Sequence, residues 1–237
     1  MNILVFDTAT DVFSIGLSTE GHKYYISIDS GQRHSELIMA TSDSLLHLAD
    51  FDKSSLEAVA CMEGPGSFTG LRIGFSAAKG LALALGIPII PIPTLDCMAY
   101  PFSFWPGMVL PVMDAKKKAF FTALYSQGNR ISDFLDIDIK QLISTIENTW
   151  SRYNKSTPIP LLLITGPAAS MVQNALSEAF PGTVSCSIVH QGYVEGLLNL
   201  AIQNSMINKE PMNFSVGPLY LRKSDAELTE NMDRGNV

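Results

Sequence analysis

The chain has 237 residues, 46% hydrophobic and 16% charged, which excludes a disordered polymer and leaves ample material for a core. Its formal net charge is −7 and its only dense basic run is Lys116-Lys117-Lys118, which excludes a free nucleic-acid binder carrying a basic stripe. Cys61, Cys97 and Cys186 are far apart in apolar surroundings, which excludes a disulfide framework and CxxC metal spacing.

The chain opens on Asn2-Ile3-Leu4-Val5-Phe6-Asp7, too short and too acidic for a signal peptide, so the cytoplasm is the expected compartment. Ile3–Asp7 is an apolar run ending in an acid. The alternating stretches Val12–Thr19 and Lys23–Asp29 follow, split by a turn at Glu20-Gly21, and predict three strands. A helix is expected over His34–Ala49, with Leu37, Ile38, Thr41, Leu45, Leu46 and Leu48 at helical spacing. The buried strand Ala58–Met62 then runs into the glycine-rich stretch Glu63–Gly74. A second helix is expected from after Thr69 to Leu85, stopped by Gly86 and Pro88. It is apolar almost all round, but Arg72, Lys79 and its glycines argue against a membrane span. Gly70, Gly74, Ala78 and Ala82 share one of its faces, where another backbone can approach closely. That backbone belongs either to this protein's own sheet or to another helix.

Near residue 109 the opening pattern returns as Val109–Asp114, Ala119–Ser126, a turn at Gln127-Gly128, and Ile131–Ile139. The spacing from Asp7 to Gly21 equals that from Asp114 to Gly128. A later strand repeats too: Leu161–Ile164 runs into Gly166-Pro167 as Ala58–Met62 runs into Gly64-Pro65. The polar segment Ser144–Pro160 reads as a helix plus loop, and a loose tail is expected over 223–237. Two copies of a β-β-β-α-β-α unit fit an α/β, duplicated actin-like ATPase (ASKHA, ribonuclease H-like) fold. Its two lobes each carry a mixed β-sheet flanked by helices. The expected division is an N-terminal lobe over 1–105, with the two helices just described, and a C-terminal lobe over 106–222. A halved Rossmann fold would need G-x-G-x-x-G directly after the first strand, which is missing.

The glycine-rich loop follows a buried strand and opens a helix that Ser67 or Thr69 can cap. It is either an anion cradle or a capped turn without a ligand. It is not a Walker A loop, because no G-K-[ST] follows at the required spacing.

The stretch Gly64-Pro65-Gly66-Ser67-Phe68-Thr69-Gly70-Leu71-Arg72-Ile73-Gly74 resembles the signature of the TsaB (YeaZ) family. Ile3–Thr10, His34-Ser35-Glu36, Lys79-Gly80-Leu81-Ala82, Val112-Met113-Asp114-Ala115 and Pro218-Leu219-Tyr220-Leu221-Arg222 agree with it. The agreement is good to about residue 130 and thin between 140 and 215.

The resemblance implies a non-catalytic member of the fold that docks and activates the catalytic paralogue TsaD in synthesis of N6-threonylcarbamoyladenosine in tRNA. TsaE is a further partner, and a homodimer is implied for the isolated chain. tRNA is met mainly through the complex, without a membrane. Pairing would use the two helices of the first half, through His34, Leu37, Ile38, Thr41, Leu45, Gly70, Arg72, Gly74, Ala78 and Ala82.

The residues themselves also disfavour catalysis. Active relatives bring glycine close to a nucleotide in D-x-G-x-T, where Asp7-Thr8-Ala9-Thr10 has alanine. Asp114-Ala115-Lys116-Lys117 has no glycine, and Thr165-Gly166-Pro167-Ala168 has one where a pair is usual. No cofactor is expected beyond weak or partner-dependent ATP/ADP binding at Asp7, Thr8 and Thr10. No metal is expected, because His22, His34, His47 and His190 contain no i, i+4 pair. A phosphotransferase or ATPase of the same fold, and a metallopeptidase-like enzyme, are the alternatives. Ser67 lacks the G-x-S-x-G context of a nucleophile.

Overall fold

The computed structural model describes residues 1–31, 33–153, 160–189, 191–207 and 215–222, so the tail expected over 223–237 and His190 lie outside the described residues. A first sheet comprises β1 (Ile3–Asp7), β2 (Val12–Thr19), β3 (His22–Asp29), β4 (Ala58–Gly64) and β5 (Ile89–Pro93), in the order β3-β2-β1-β4-β5. The first three strands pair antiparallel, whereas β4 and β5 join parallel.

The second sheet repeats this plan as β10-β7-β6-β11-β12. Its strands are β6 (Met108–Asp114), β7 (Ala119–Thr122), β10 (Leu135–Asp138), β11 (Leu161–Thr165) and β12 (Thr183–Ser187). A short hairpin of β8 (Tyr125–Ser126) and β9 (Asn129–Arg130) hangs from β6. Asp7 and Asp114 therefore close equivalent central strands, as the duplicated pattern predicts.

The strands at the sheet centres are buried on both faces, which is why they read as unbroken apolar runs. Along β1, Ile3 and Val5 enter the core between the lobes, while Leu4 and Phe6 face the outer layer. β6 does the same, with Val109 and Met113 inward and Met108, Leu110 and Val112 outward. The outer layer of the first sheet is α1 (His34–Leu48) and α2 (Phe68–Leu85), and that of the second is α4 (Ile139–Tyr153) and α5 (Ala169–Ala179). The remaining helices, α3 (Thr94–Ala99) and α6 (Val194–Ile207), lie between the sheets.

Besides the strand expected over Ile131–Ile139, which forms only over Leu135–Asp138 with Ile139 opening α4, two segments depart from the sequence reading. The single strand expected over Ala119–Ser126 breaks after Thr122. There the Leu124 amide donates to Ser132 Oγ at 2.9 Å and the Leu124 carbonyl accepts from Ile131 at 2.7 Å, satisfying the backbone outside the ladder. Secondly, α6 lies in the stretch expected for the second lobe but packs on β1, β2, β4 and β5 of the first sheet. Val194, Leu197, Leu198 and Ala201 are its buried stripe.

Candidate functional site

The carboxyl ends of β1 and β4 and the two loops that follow them meet at one place. Gly64 ends β4 with φ 119°, and Leu219 O lies 2.6 Å from where a Cβ would sit, so only glycine fits. The chain turns through a cis Gly64–Pro65 bond, and Ser67 caps α2 by accepting from the Gly70 amide at 3.2 Å. Ser67 N donates to Ala9 O at 2.8 Å, tying this loop to the one after β1. Ser67→Ala is expected to cost about 1 kcal/mol through loss of the cap, read as a lower urea midpoint.

The glycines of the signature serve this closure. A Cβ at Gly66 would stand 2.7 Å from Ala9 O, and one at Gly70 or Gly74 would collide with Thr8 O or Thr8 Oγ1. Thr8 and Ala9 of the same chain take the space beside these glycines, while a pocket of about 130 Å³ lined by Asp11, His34, Ser67, Phe68, Thr69 and Gly70 lies open at the start of α2.

Asp7 is completely buried. Its Oδ2 accepts from the Tyr193 amide at 2.8 Å and from Ser14 Oγ at 3.2 Å, and its Oδ1 accepts from the Ala9 amide at 3.2 Å. Burial raises its pKa above the ordinary carboxylate value, with the three donors pulling the other way. Thr8 is also buried, and Thr10 uses its carbonyl to accept from His34 Nε2 at 2.8 Å. Of the three residues expected to meet a nucleotide, Asp7 and Thr8 are enclosed by their own chain, and Thr10 is half-buried.

Asp114, the counterpart of Asp7, accepts from Lys116 N at 2.7 Å and Lys116 Nζ at 2.8 Å, which holds its carboxyl below the usual range. Lys116, Lys117 and Lys118 all have positive φ (59°, 54° and 63°). Each lysine in that region costs roughly 1–2 kcal/mol, so surrounding contacts must hold this left-handed turn. The bonds Ala119 N to Lys116 O and Ala115 N to Ala119 O close it.

The helix residues expected at a partner interface divide by exposure. His34, Ile38, Thr41, Leu45, Gly70, Gly74, Ala78 and Ala82 are all buried within this chain. The face of small residues meets Thr8 and the first sheet of this chain. Leu37 is half-buried in the same core cluster, and Arg72 is exposed, its guanidinium 3.8 Å over the Phe68 ring. The outward side is different. Between α1 and α2 lies an apolar groove of about 390 Å³, lined by Met39, Leu46, Ala77, Gly80, Leu81 and Ala84. Met39 on α1 is 59% exposed, and Leu83 on α2 is 69% exposed. A Cβ on Gly80 would meet nothing within 4 Å.

Sequence reasoning also missed a polar cluster in which Tyr125 donates to Asp96 at 2.5 Å and Arg130 approaches the same carboxylate at 3.5 Å. No spacing in the chain relates these three. Among the described residues, no group of three or more His, Cys, Asp or Glu is placed to hold a metal ion, and no helix is long and apolar enough to cross a membrane.

This architecture defines a duplicated, two-sheet α/β protein of the actin-like class whose first acidic strand end is sealed. Residues 28–182 match the family described as "TsaD: tRNA N6-adenosine threonylcarbamoyltransferase". The Bacillus subtilis tRNA threonylcarbamoyladenosine biosynthesis protein TsaB is 29% identical over 191 residues, covering 78% of this chain and 81% of that protein. The Escherichia coli protein of that name is 33% identical over 131 residues, 54% of this chain and 56% of its own length. YeaZ from Pseudomonas aeruginosa superposes with a TM-score of 0.74 at 21% identity, covering 93% of this chain and 99% of that one, which shows the shared fold. The chain belongs to the TsaB (YeaZ) family.

Proposed function

We propose that this chain serves threonylcarbamoyladenosine synthesis in tRNA as a non-catalytic subunit that docks and activates a TsaD-type partner. The observation that carries the reading is the sealed Asp7. Its acceptors are engaged by Tyr193, Ser14 and Ala9, so the chemistry falls to another chain. Kinship with proteins named for threonylcarbamoyladenosine biosynthesis supplies the process.

Docking belongs to the outward groove between α1 and α2, not to the inward face of small residues. Gly80 lets a partner's backbone come close, Met39 and Leu83 offer apolar area, and Asp43 and Lys53 sit at the margin. In isolation a second copy covers the groove. TsaE and tRNA join through the assembled complex.

Gly80→Leu is expected to leave the chain folded and abolish co-purification with the TsaD homologue, because a branched side chain fills the groove. Capture at the wild-type level by this folded variant overturns the groove assignment. The isolated chain is expected not to hydrolyse ATP. Robust turnover would favour the phosphotransferase alternative, and metal-dependent peptide hydrolysis would favour the peptidase one.

A further inference from the structure

The segment Ser215–Arg222 reaches residues that are remote from it in sequence. Val216 packs on the apolar cluster beneath α1 and α2. The Leu219 amide donates to Glu63 O at 2.7 Å, alongside the end of β4. Tyr220 lies with its ring centroid 5.1 Å from that of Phe68, and its hydroxyl accepts from Arg72 Nε at 3.1 Å. All of these contacts are with the first lobe.

Two residues on, the chain reaches the second lobe. Arg222 Nε donates to Asp136 Oδ2 at 2.7 Å and Nη2 to Asp136 Oδ1, a bidentate pair that is mostly screened from solvent. Arg222 Nη1 donates to Ala115 O at 3.0 Å. Ala115 directly precedes the left-handed lysine turn, and its amide already bonds Ala119 O. One guanidinium thus fixes β10 and the root of the turn together.

Beneath this segment the lobes do not pack tightly. A cavity of about 240 Å³ opens there, walled by Pro65, Gly66 and Phe68 from one lobe, Ala115 and Lys116 from the other, and the segment itself. The segment therefore bridges a gap at the mouth between the lobes.

We propose that residues 215–222 are a clasp. Engaged, it sets the closure of the two lobes and holds the lysine turn left-handed; released, it frees both. The clasp is a two-state element of the kind that couples distant surfaces. It goes beyond the docking reading and does not depend on it. Leu219 and Arg222 are the closing contacts, and Arg222 acts as a positioning residue for Lys116–Lys118.

Two measurements on the full chain test this. In the wild type, hydrogen exchange should give Leu219 and Ala119 amides protection within about threefold of each other, because they open together. A Leu219 amide exchanging more than about tenfold faster than Ala119 overturns the clasp. In the second, nitroxides at Ser44 and Ser144, on a Cys186→Ser background, report the separation of the lobes. Arg222→Gln should broaden that distance distribution and raise exchange across 115–119 by about tenfold or more, with α1 and α2 unchanged. Arg222→Lys, which retains charge but not the fork, should fall between. An unchanged distribution with unchanged exchange at 115–119 overturns the proposal and leaves the segment a passive cover. Should Arg222→Gln fail to fold, the wild-type comparison still decides.

Discussion

Gly70→Ala is expected to lower stability by about 2 kcal/mol or more, whereas Gly80→Ala, on the same helix, is expected to raise it by about 0.5–1 kcal/mol. Both exchanges gain the same intrinsic helix propensity, so the difference isolates packing. At Gly70 the new methyl meets the carbonyl oxygen of Thr8, a backbone atom in the loop after β1. It cannot swing aside like a side-chain terminus, because Ser67 N and His34 Nε2 tie down the neighbouring Ala9 and Thr10 carbonyls. At Gly80 the methyl meets nothing. Urea unfolding of the two variants beside the wild type checks the pair of signs. Equal shifts would mean that α2 is not held against Thr8 as described. Gly74→Leu should fall with Gly70→Ala, more severely, and so cannot report on docking.

Asp7→Ala is expected to cost roughly 3 kcal/mol, since it strands the Tyr193 and Ala9 amides and the Ser14 hydroxyl, each a buried donor. Asp7→Asn separates the charge from the geometry. Its amide nitrogen would confront donors on one side, so it too destabilises, but it does not titrate. The pH dependence has a definite sign. The folded pKa of Asp7 lies above the ordinary 3.8, so on raising pH the unfolded chain releases its proton first. Stability from this group is complete below 3.8 and falls as pH rises through the folded value. The stability advantage of wild type over Asp7→Asn should therefore be largest near pH 4 and shrink towards neutrality. Urea midpoints across that range measure it. An advantage that grows with pH would show that the three donors outweigh burial.

The chain's periodicities made the fold legible. The apolar strands ending in Asp7 and Asp114, with turns at equal spacing, place two equivalent central strands, and the two sheets share one strand order. The signature loop was legible as a place but not as a role. Helical spacing tells which of Gly70, Gly74, Ala78 and Ala82 share a face, and nothing local tells which neighbour that face meets. Thr8 is brought there by parallel pairing of β1 with β4 across the whole of α1. Asp7 is a stronger case, because the donor that seals it is the amide of Tyr193, in a stretch whose pattern gave no reading. The Arg222 contacts are equally remote: the motif Pro218–Arg222 was visible, but Asp136 and Ala115 were not recognisable as its partners.

The return of α6 to the first sheet has a consequence for synthesis on the ribosome. Ile3, Val5, Ala58 and Ala60 emerge early, yet the helix that covers them is made only with residues 194–207. Through most of translation that apolar face is bare, and the first half cannot finish folding as an independent unit. The nascent chain thus depends on α6, and a truncation upstream of Val194 leaves an aggregation-prone surface exposed rather than a shorter working protein.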